Sequence, residues 1–147
     1  TGKREEGYTN GNMLMGQERE DEARKFFELT NNVEVAKVGV VYKDKDKKFL
    51  CSPDGIINNE YGLELKNVIP KTQVKYLLDG ELPSEYFSQV QFSLYVTGFK
   101  YWMFLSYVPA MKPLLLKVLP DKKFLAILEA ELLAFCDELE TITKKIR

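Results

Sequence analysis

The spacing of apolar residues changes along the chain, and each change marks a different predicted element. Between residues 13 and 29 strong helix formers dominate and apolar residues gather on one side, which predicts a helix that ends at residues 30–32. Three runs with the β-branched or alternating composition of strands follow this helix. They predict a three-strand meander, with strands at residues 33–42, 49–52 and 63–68.

The second half of the chain is predicted to contain two more helices. Ser84 is a suitable amino-terminal cap and Gly98 a suitable carboxyl-terminal one, which predicts a helix between them. Asp121 can cap a final helix that runs towards Lys145, because apolar residues recur there every three or four positions. Two further strands are predicted between these helices, at residues 101–108 and 114–119.

The predicted order of elements is α-βββ-α-ββ-α, which indicates the α/β (α+β) class with a mixed central β-sheet flanked by helices. Residues 1–12 hold three glycines and no apolar period, so we expect a loop there, and residues 70–83 should be irregular or briefly helical. No repeat, low-complexity run or linker divides the chain. We therefore expect a single domain over residues 1–147.

Composition narrows the chemistry that this domain can perform. The 21 basic and 22 acidic residues give a net charge of -1, which excludes a uniformly basic nucleic-acid coat but leaves room for a local basic patch. The absence of histidine excludes Ser-His-Asp and Cys-His catalysis and histidine metal sites. The two cysteines, Cys51 and Cys136, cannot form a zinc cluster and fit a reducing cytosol. Catalysis must then rest on carboxylates, lysines, amides, hydroxyls and a hard metal ion.

Two carboxylates and a lysine form the sharpest candidate site. Asp54 lies in a turn, and the alternation of a strand places Glu64 and Lys66 on the face opposite Leu63 and Leu65. If the turn and strand pair, the two carboxylates come close and repel each other unless a cation lies between them. Mg²⁺ or Mn²⁺ prefers such oxygen ligands, and Lys66 could then hold or deprotonate an attacking water.

Two helices offer further candidates, which helical phase alone leaves open. On the first helix Glu20 and Glu22 are almost equally well placed to share the inward side of the phenylalanines. On the later helix the phase favours Gln91 as the inward glutamine over Gln89. An amide among apolar residues needs hydrogen-bond partners. Either glutamine could therefore act in the candidate site or simply form hydrogen bonds at the edge of the core.

Four segments in order resemble the phage lambda-type exonucleases of the YqaJ-like viral recombinase family, within the PD-(D/E)XK nucleases and their restriction-endonuclease-like core. They are residues 16–24 (GQEREDEAR), 51–55 (CSPDG), 62–66 (GLELK) and 89–97 (QVQFSLYVT). The resemblance covers roughly residues 12 to 145. It implies a Mg²⁺-dependent deoxyribonuclease, with Mn²⁺ as an alternative and one or two ions.

The resemblance also implies roles for single residues. Asp54, Glu64, the carbonyl of Leu65 and Glu20 match metal ligands, and Lys66 matches the catalytic lysine. Gln89 and Gln91 both match the glutamine motif, and the alignment favours Gln89 at least as much as Gln91. The residues expected to contact DNA are Ser52 at a 5′-phosphate, Tyr95 in the glutamine motif and, from their place after the active strand, Lys71 and Lys75.

The implied biology is 5′-to-3′ resection of duplex DNA ends in a bacterial or phage-infected cytoplasm, feeding a single-strand annealing protein. Relatives form trimers, so a homo-oligomer is a further expectation. The chain begins at Thr1, and we expect the family's amino-terminal segment to be missing, which affects 5′-end preference more than cleavage itself. The alternatives are an endonuclease or end-processing enzyme on the same core, a binding-only module, and an unrelated α/β domain.

Overall fold

The computed structural model describes the backbone of residues 11–147 and the side chains from Leu14 onward. The predicted loop at residues 1–10 lies outside the described residues, whereas residues 11 and 12 begin the first helix. No helix in the described part combines the length and apolarity needed to cross a membrane. The helices are α1 (Gly11–Asn31), α2 (Pro70–Asp79), α3 (Ser84–Thr97) and α4 (Lys122–Ile146). The strands are β1 (Val41–Tyr42), β2 (Leu50–Cys51), β3 (Gly55–Ile57), β4 (Tyr61–Lys66), β5 (Trp102–Ser106) and β6 (Leu114–Val118).

A four-stranded mixed sheet in the order β3-β4-β5-β6 forms the centre of the fold. The β3–β4 and β5–β6 pairs are antiparallel, as short connections allow, whereas β4 and β5 are parallel. A parallel pair needs a long crossover, and α2 and α3 supply it. The predicted fold class, a mixed sheet flanked by helices, is confirmed.

The central sheet has an apolar cluster on each of its faces. Leu63 and Leu65 pack with Phe27 of α1 on one face. The other face carries Trp102 and Phe104, which pack against α3. Because side chains alternate along a strand, Glu64 projects towards the α3 face, and the packed layers above and below fix its position.

Two segments differ from the expected pattern. The expected strand at residues 33–42 is wrong for most of its length: only Val41–Tyr42 pairs, with β2, and a single bridge joins Ala36 to Ile56. One main-chain N–H group in this segment binds a side chain and not another strand: Val35 N–H donates to Glu28 Oε2 at 3.0 Å. The hairpin β1–β2 is therefore a separate two-stranded sheet, and the expected continuous meander is not formed.

Most of the predicted helix caps are observed in the structure. Residues 70–79 form the regular helix α2, which starts with Pro70 in its first turn and ends at Gly80 with φ 66°. Gly98 ends α3 with φ 69°, and Asp121 caps α4 by accepting from Phe124 N–H at 3.0 Å, both as predicted. The cap of α3 differs, because Pro83 occupies that position and Ser84 is already helical.

Candidate active site

Asp54 is held against the middle of β4 by two main-chain hydrogen bonds. Its own N–H donates to Leu63 O at 3.1 Å, and its Oδ2 accepts from Leu65 N–H at 2.8 Å. The turn before β3 thus positions the carboxylate beside the strand that carries Glu64. The sequence places the two acids ten positions apart, and the antiparallel register of β3 and β4 brings them together.

Glu64 is buried, with 5% of its surface exposed, yet it is surrounded by polar groups. Its Oε1 accepts from Lys66 Nζ at 3.0 Å and from Gln89 Nε2 at 3.0 Å. The first partner comes from the same face of β4 and the second from α3. A carboxylate with two donors on one oxygen has a fixed orientation and leaves its other oxygen available to a ligand.

The pKa values of both acids are raised, and burial is the main cause. Burial, followed by the charge of Glu64, raises the pKa of Asp54 from 3.8 to about 7, although the Leu65 amide opposes this change. Burial also raises the pKa of Glu64, and the ammonium group of Lys66 offsets only part of that effect. A bound divalent cation would favour the ionised form of both acids and so lower both pKa values.

The ammonium group of Lys66 lies between Glu64 and an aromatic ring. Its Nζ is 4.8 Å from the centroid of Tyr86. Burial lowers the pKa of Lys66, but the hydrogen bond and charge of Glu64 outweigh burial, so the pKa is raised overall. The ring of Tyr86 is itself fixed, since it packs on Phe104 at 5.4 Å and edge-on to Tyr76 at 6.4 Å. Tyr86 was not singled out in the sequence, where it is one aromatic residue among several on α3.

Glu20 of α1 lies near this pair but is held by a different partner. Arg24 Nη2 donates to Glu20 Oε1 at 2.9 Å and to the main-chain oxygen of Asp54 at 3.0 Å. The charge of Glu20 raises the pKa of both Asp54 and Glu64, so it is electrostatically part of the site. Glu22, the alternative from helical phase, accepts instead from the hydroxyl of Tyr107 at 2.9 Å.

The donor set fits a hard divalent cation that retains water ligands. Among residues 14–147 no three acidic or cysteine side chains gather closely enough to make a complete metal cage. Asp54 and Glu64 nevertheless lie next to each other. Leu65, between Glu64 and Lys66 on β4, is hydrogen-bonded to Asp54 and can offer its main-chain oxygen as a further ligand. One or two carboxylates with water in the remaining positions is the usual protein contribution to Mg²⁺ binding.

The two glutamines have different surroundings. Gln89 is exposed and reaches Glu64 as described. Gln91 is inward, as its phase predicts, with 1% exposure, but it faces another part of the fold. Its Nε2 donates to Leu119 O at 2.9 Å and its Oε1 accepts from Asp121 N–H at 2.8 Å, so it joins α3 to the start of α4.

The residues expected to contact DNA lie on three different elements of the fold. Ser52 is exposed, two residues before Asp54. Lys71 and Lys75 are exposed on α2, which follows the active strand β4. Tyr95 instead packs beneath the β1–β2 hairpin, 6.0 Å from the ring of Phe49, and is not brought together with the carboxylates.

Arg24 is a site residue that the sequence analysis did not single out. It lies within the segment 16–24 and four residues after Glu20, the spacing of an ion pair on one helix face. That spacing was a usable signal. Its contact with the turn at Asp54 could not be derived without the tertiary fold.

Comparison with known proteins supports the fold described above. The structure matches the crystal structure of an alkaline exonuclease, LHK-Exo from Laribacter hongkongensis, with a TM-score of 0.79 and 26% identity over 93% of this chain and 73% of that one. A second structure of LHK-Exo, in complex with dAMP, matches with the same TM-score and identity over 94% and 73%. No curated protein matches the chain. The model of the YqaJ-like viral recombinase domain matches residues 1–100, and the chain belongs to that family.

Proposed function

We propose that this protein is a Mg²⁺-dependent exonuclease that degrades linear duplex DNA from 5′ ends in phage-type recombination. The observation that carries the proposal is the pair of adjacent carboxylates, Asp54 and Glu64, with Lys66 on the same strand and hydrogen-bonded to Glu64. The family match and the likeness to an alkaline exonuclease support the same chemistry.

In this proposal Asp54, Glu64 and the main-chain oxygen of Leu65 hold a divalent cation, with Glu20 as an additional carboxylate. Mg²⁺, with Mn²⁺ as a substitute and a second ion as an option, supplies positive charge to the scissile phosphate and its leaving oxygen. The carboxylates are already positioned by β4 and the turn before β3. Little reorganisation is then needed when metal and DNA bind.

Lys66 and Gln89 act on the attacking water and the phosphate. Lys66, whose Nζ lies 3.0 Å from Glu64 Oε1, holds or deprotonates the attacking water and donates to a phosphate oxygen. Gln89 uses one amide proton to orient Glu64 and has a second for water or substrate. Gln91 has no catalytic role in this scheme, since both ends of its amide bind the main chain.

The same proposal assigns DNA contacts and biological context. Ser52 binds the terminal 5′-phosphate, and Lys71 and Lys75 contact the backbone beyond it. The site of action is the cytoplasm of a bacterium or a phage-infected cell. A single-strand annealing protein receives the exposed strand, and several copies of the chain assemble around the duplex.

Digestion of linear duplex DNA tests the function. We expect Mg²⁺-dependent loss of nucleotides from 5′-phosphorylated ends, absent with EDTA and absent in Lys66→Met. The matched control is Lys117→Met, a lysine of strand β6 in the same sheet whose Nζ also lies over an aromatic ring, Tyr101, at 4.3 Å. That variant should cut like the wild type.

Other substrates separate the alternatives. Cleavage of closed circular DNA would replace the exonuclease with an endonuclease. Loss from 3′ ends would reverse the proposed direction. Carboxylate-dependent metal binding without any cleavage would indicate a binding-only module.

A further inference from the structure

The guanidinium group of Arg24 joins helix α1 to the turn that carries Asp54. Its side chain is 8% exposed, and the single atom Nη2 bridges Glu20 Oε1 at 2.9 Å and Asp54 O at 3.0 Å. We propose that Arg24 is a positioning residue, which holds the carboxylate of Glu20 against the turn that carries Asp54 and so sets the affinity of the site for a divalent cation. This inference rests on the proposed metal-dependent function.

The contacts of Arg24 favour positioning over simple charge balance. Nη2 binds the main-chain oxygen of Asp54, and the Oδ2 of Asp54 is engaged by the Leu65 amide. Arg24 therefore ties the turn in place without covering the oxygens that a cation needs. On Glu20 it engages Oε1, and within the described part of the chain no donor occupies Oε2.

The neighbouring acid Asp21 does not explain this arrangement. Arg24 Nη1 donates to Asp21 Oδ1 at 2.9 Å, but Lys37 Nζ lies 3.1 Å from the same oxygen. Asp21 thus keeps a cationic partner without Arg24. Glu20 pairs with no other cation among residues 14–147, and at 32% exposure it can swing into solvent when that partner is removed.

A donor on Arg24 is left without a partner. Its Nε is buried and makes no hydrogen bond within the described residues. A buried unmade hydrogen bond opposes stability. The orientation in which Arg24 binds both Glu20 and the Asp54 turn thus leaves Nε unpaired, which fits a role in the site better than a role in the core.

Removing Arg24 should release Glu20, because the charges of Asp54 and Glu64 repel it. Partners that orient metal ligands typically change metal affinity by about 10- to 100-fold. We expect metal affinity to fall within that range in Arg24→Met and to fall less in Arg24→Lys. A lysine keeps the positive charge but lacks the planar guanidinium group that binds Glu20 and the main-chain oxygen of Asp54 together. The control is Lys37→Met, which removes the other cation from Asp21 but touches neither Glu20 nor Asp54.

The test is a titration of Mn²⁺ followed by electron paramagnetic resonance on the full chain without DNA, with thermal unfolding of every variant. A double-mutant cycle with Glu20→Gln provides the readout that a merely structural role would not move. If Arg24 acts through Glu20, then Arg24→Lys weakens Mn²⁺ binding in the wild type and has little further effect in Glu20→Gln. Because the side chain of Glu20 is partly exposed, we expect Glu20→Gln to fold.

Three results would overturn the inference. They are unchanged Mn²⁺ affinity in Arg24→Lys and Arg24→Met, tighter binding in Arg24→Met, and full additivity with Glu20→Gln. Tighter binding would show that the guanidinium acts mainly by repelling the cation. Weaker binding in the Arg24 variants, in a protein that leaves DNA intact, would uphold the positioning role while the proposed nuclease function fails. Absence of Mn²⁺ binding in the wild type would overturn both.

Discussion

Gln89 donates from helix α3 to Glu64 Oε1 on strand β4 at 3.0 Å, across 25 residues of sequence. The same oxygen accepts from Lys66. The amide therefore links the crossover helix to the carboxylate at the centre of the candidate site. Two positions further along α3, Gln91 instead joins α3 to the start of α4, so we expect the two glutamines to differ in their effects on cleavage and on stability.

Gln89→Ala should lower cleavage without lowering stability, whereas Gln91→Leu should do the reverse. Gln89 is exposed, and its loss frees Glu64 to reorient, for which we expect about a 10- to 100-fold fall in cleavage rate. Gln91→Leu leaves Leu119 O and Asp121 N–H without partners, which should destabilise the fold by about 2–4 kcal/mol. Cleavage rates and chemical unfolding of both variants measure this. Equal effects of the two on rate would contradict the assignment.

Tyr86→Leu should slow cleavage while leaving metal affinity unchanged. The ring lies 4.8 Å from Lys66 Nζ and limits where the ammonium group can move. Cation–π contacts of this kind contribute about 0.5–2 kcal/mol, which corresponds to a roughly 2- to 30-fold loss of rate. Tyr86→Phe keeps the ring and should retain most of the activity. A large loss in Tyr86→Phe would instead point to the hydroxyl.

Gly62→Ala should destabilise the protein severely. Gly62 pairs with Trp102 across β4 and β5, and a methyl group on Gly62 would overlap the indole ring. Overpacking a core typically costs about 1–3 kcal/mol and occasionally more, and we expect the upper end because Trp102 is fully buried. Thermal unfolding checks this. Gly16→Ala on α1 is the control, since a methyl group there meets nothing and should raise Tm slightly. A Gly62→Ala variant as stable as Gly16→Ala would contradict the prediction.

Each member of the carboxylate pair could be predicted from the sequence because local rules mark it, whereas the contact between the two acids also requires the pairing of β3 with β4. Alternation on β4 separates Glu64 and Lys66 from Leu63 and Leu65, and turn chemistry marks Asp54. The caps at Gly98 and Asp121 depend equally on short-range geometry. Each of these features involves residues within a few positions of one another, so a period or a turn signal is enough.

The remaining features depend on contacts between distant segments. Helical phase correctly predicted that Gln91 is buried, but it could not say that the inward direction at that position leads to the start of α4 and not to Glu64. The segment 33–42 has the composition of a strand, yet only its end pairs in the sheet of β1 and β2. The contact of Arg24 with the turn at Asp54 could not be predicted, because the two residues lie 30 positions apart.

Asp54→Asn should change how stability depends on pH in the metal-free protein. Burial first, and then the charge of Glu64, raises the pKa of Asp54 from 3.8 to about 7. Between these values the folded protein keeps a proton that the unfolded chain has released. The folded state is thus favoured at low pH, and this contribution is lost as pH rises through about 7. In a fully buried carboxylate, a pKa shift of this size would change the free energy of unfolding by about 4 kcal/mol. Because Asp54 is partly exposed, we expect a change of roughly 2 kcal/mol.

Thermal unfolding in EDTA between pH 5 and pH 8 measures this contribution of Asp54. The Tm of the wild type should fall over that range more steeply than the Tm of Asp54→Asn, and the variant should be the more stable of the two at pH 8. Asp121→Asn makes the same substitution in the cap of α4, where asparagine also caps, and should follow the wild type. Added Mg²⁺ should raise the wild-type Tm more at pH 8 than at pH 5.5, because protons compete with the cation for the same oxygens. Parallel pH curves for the wild type and Asp54→Asn would mean that the pKa of Asp54 is not raised in the folded protein.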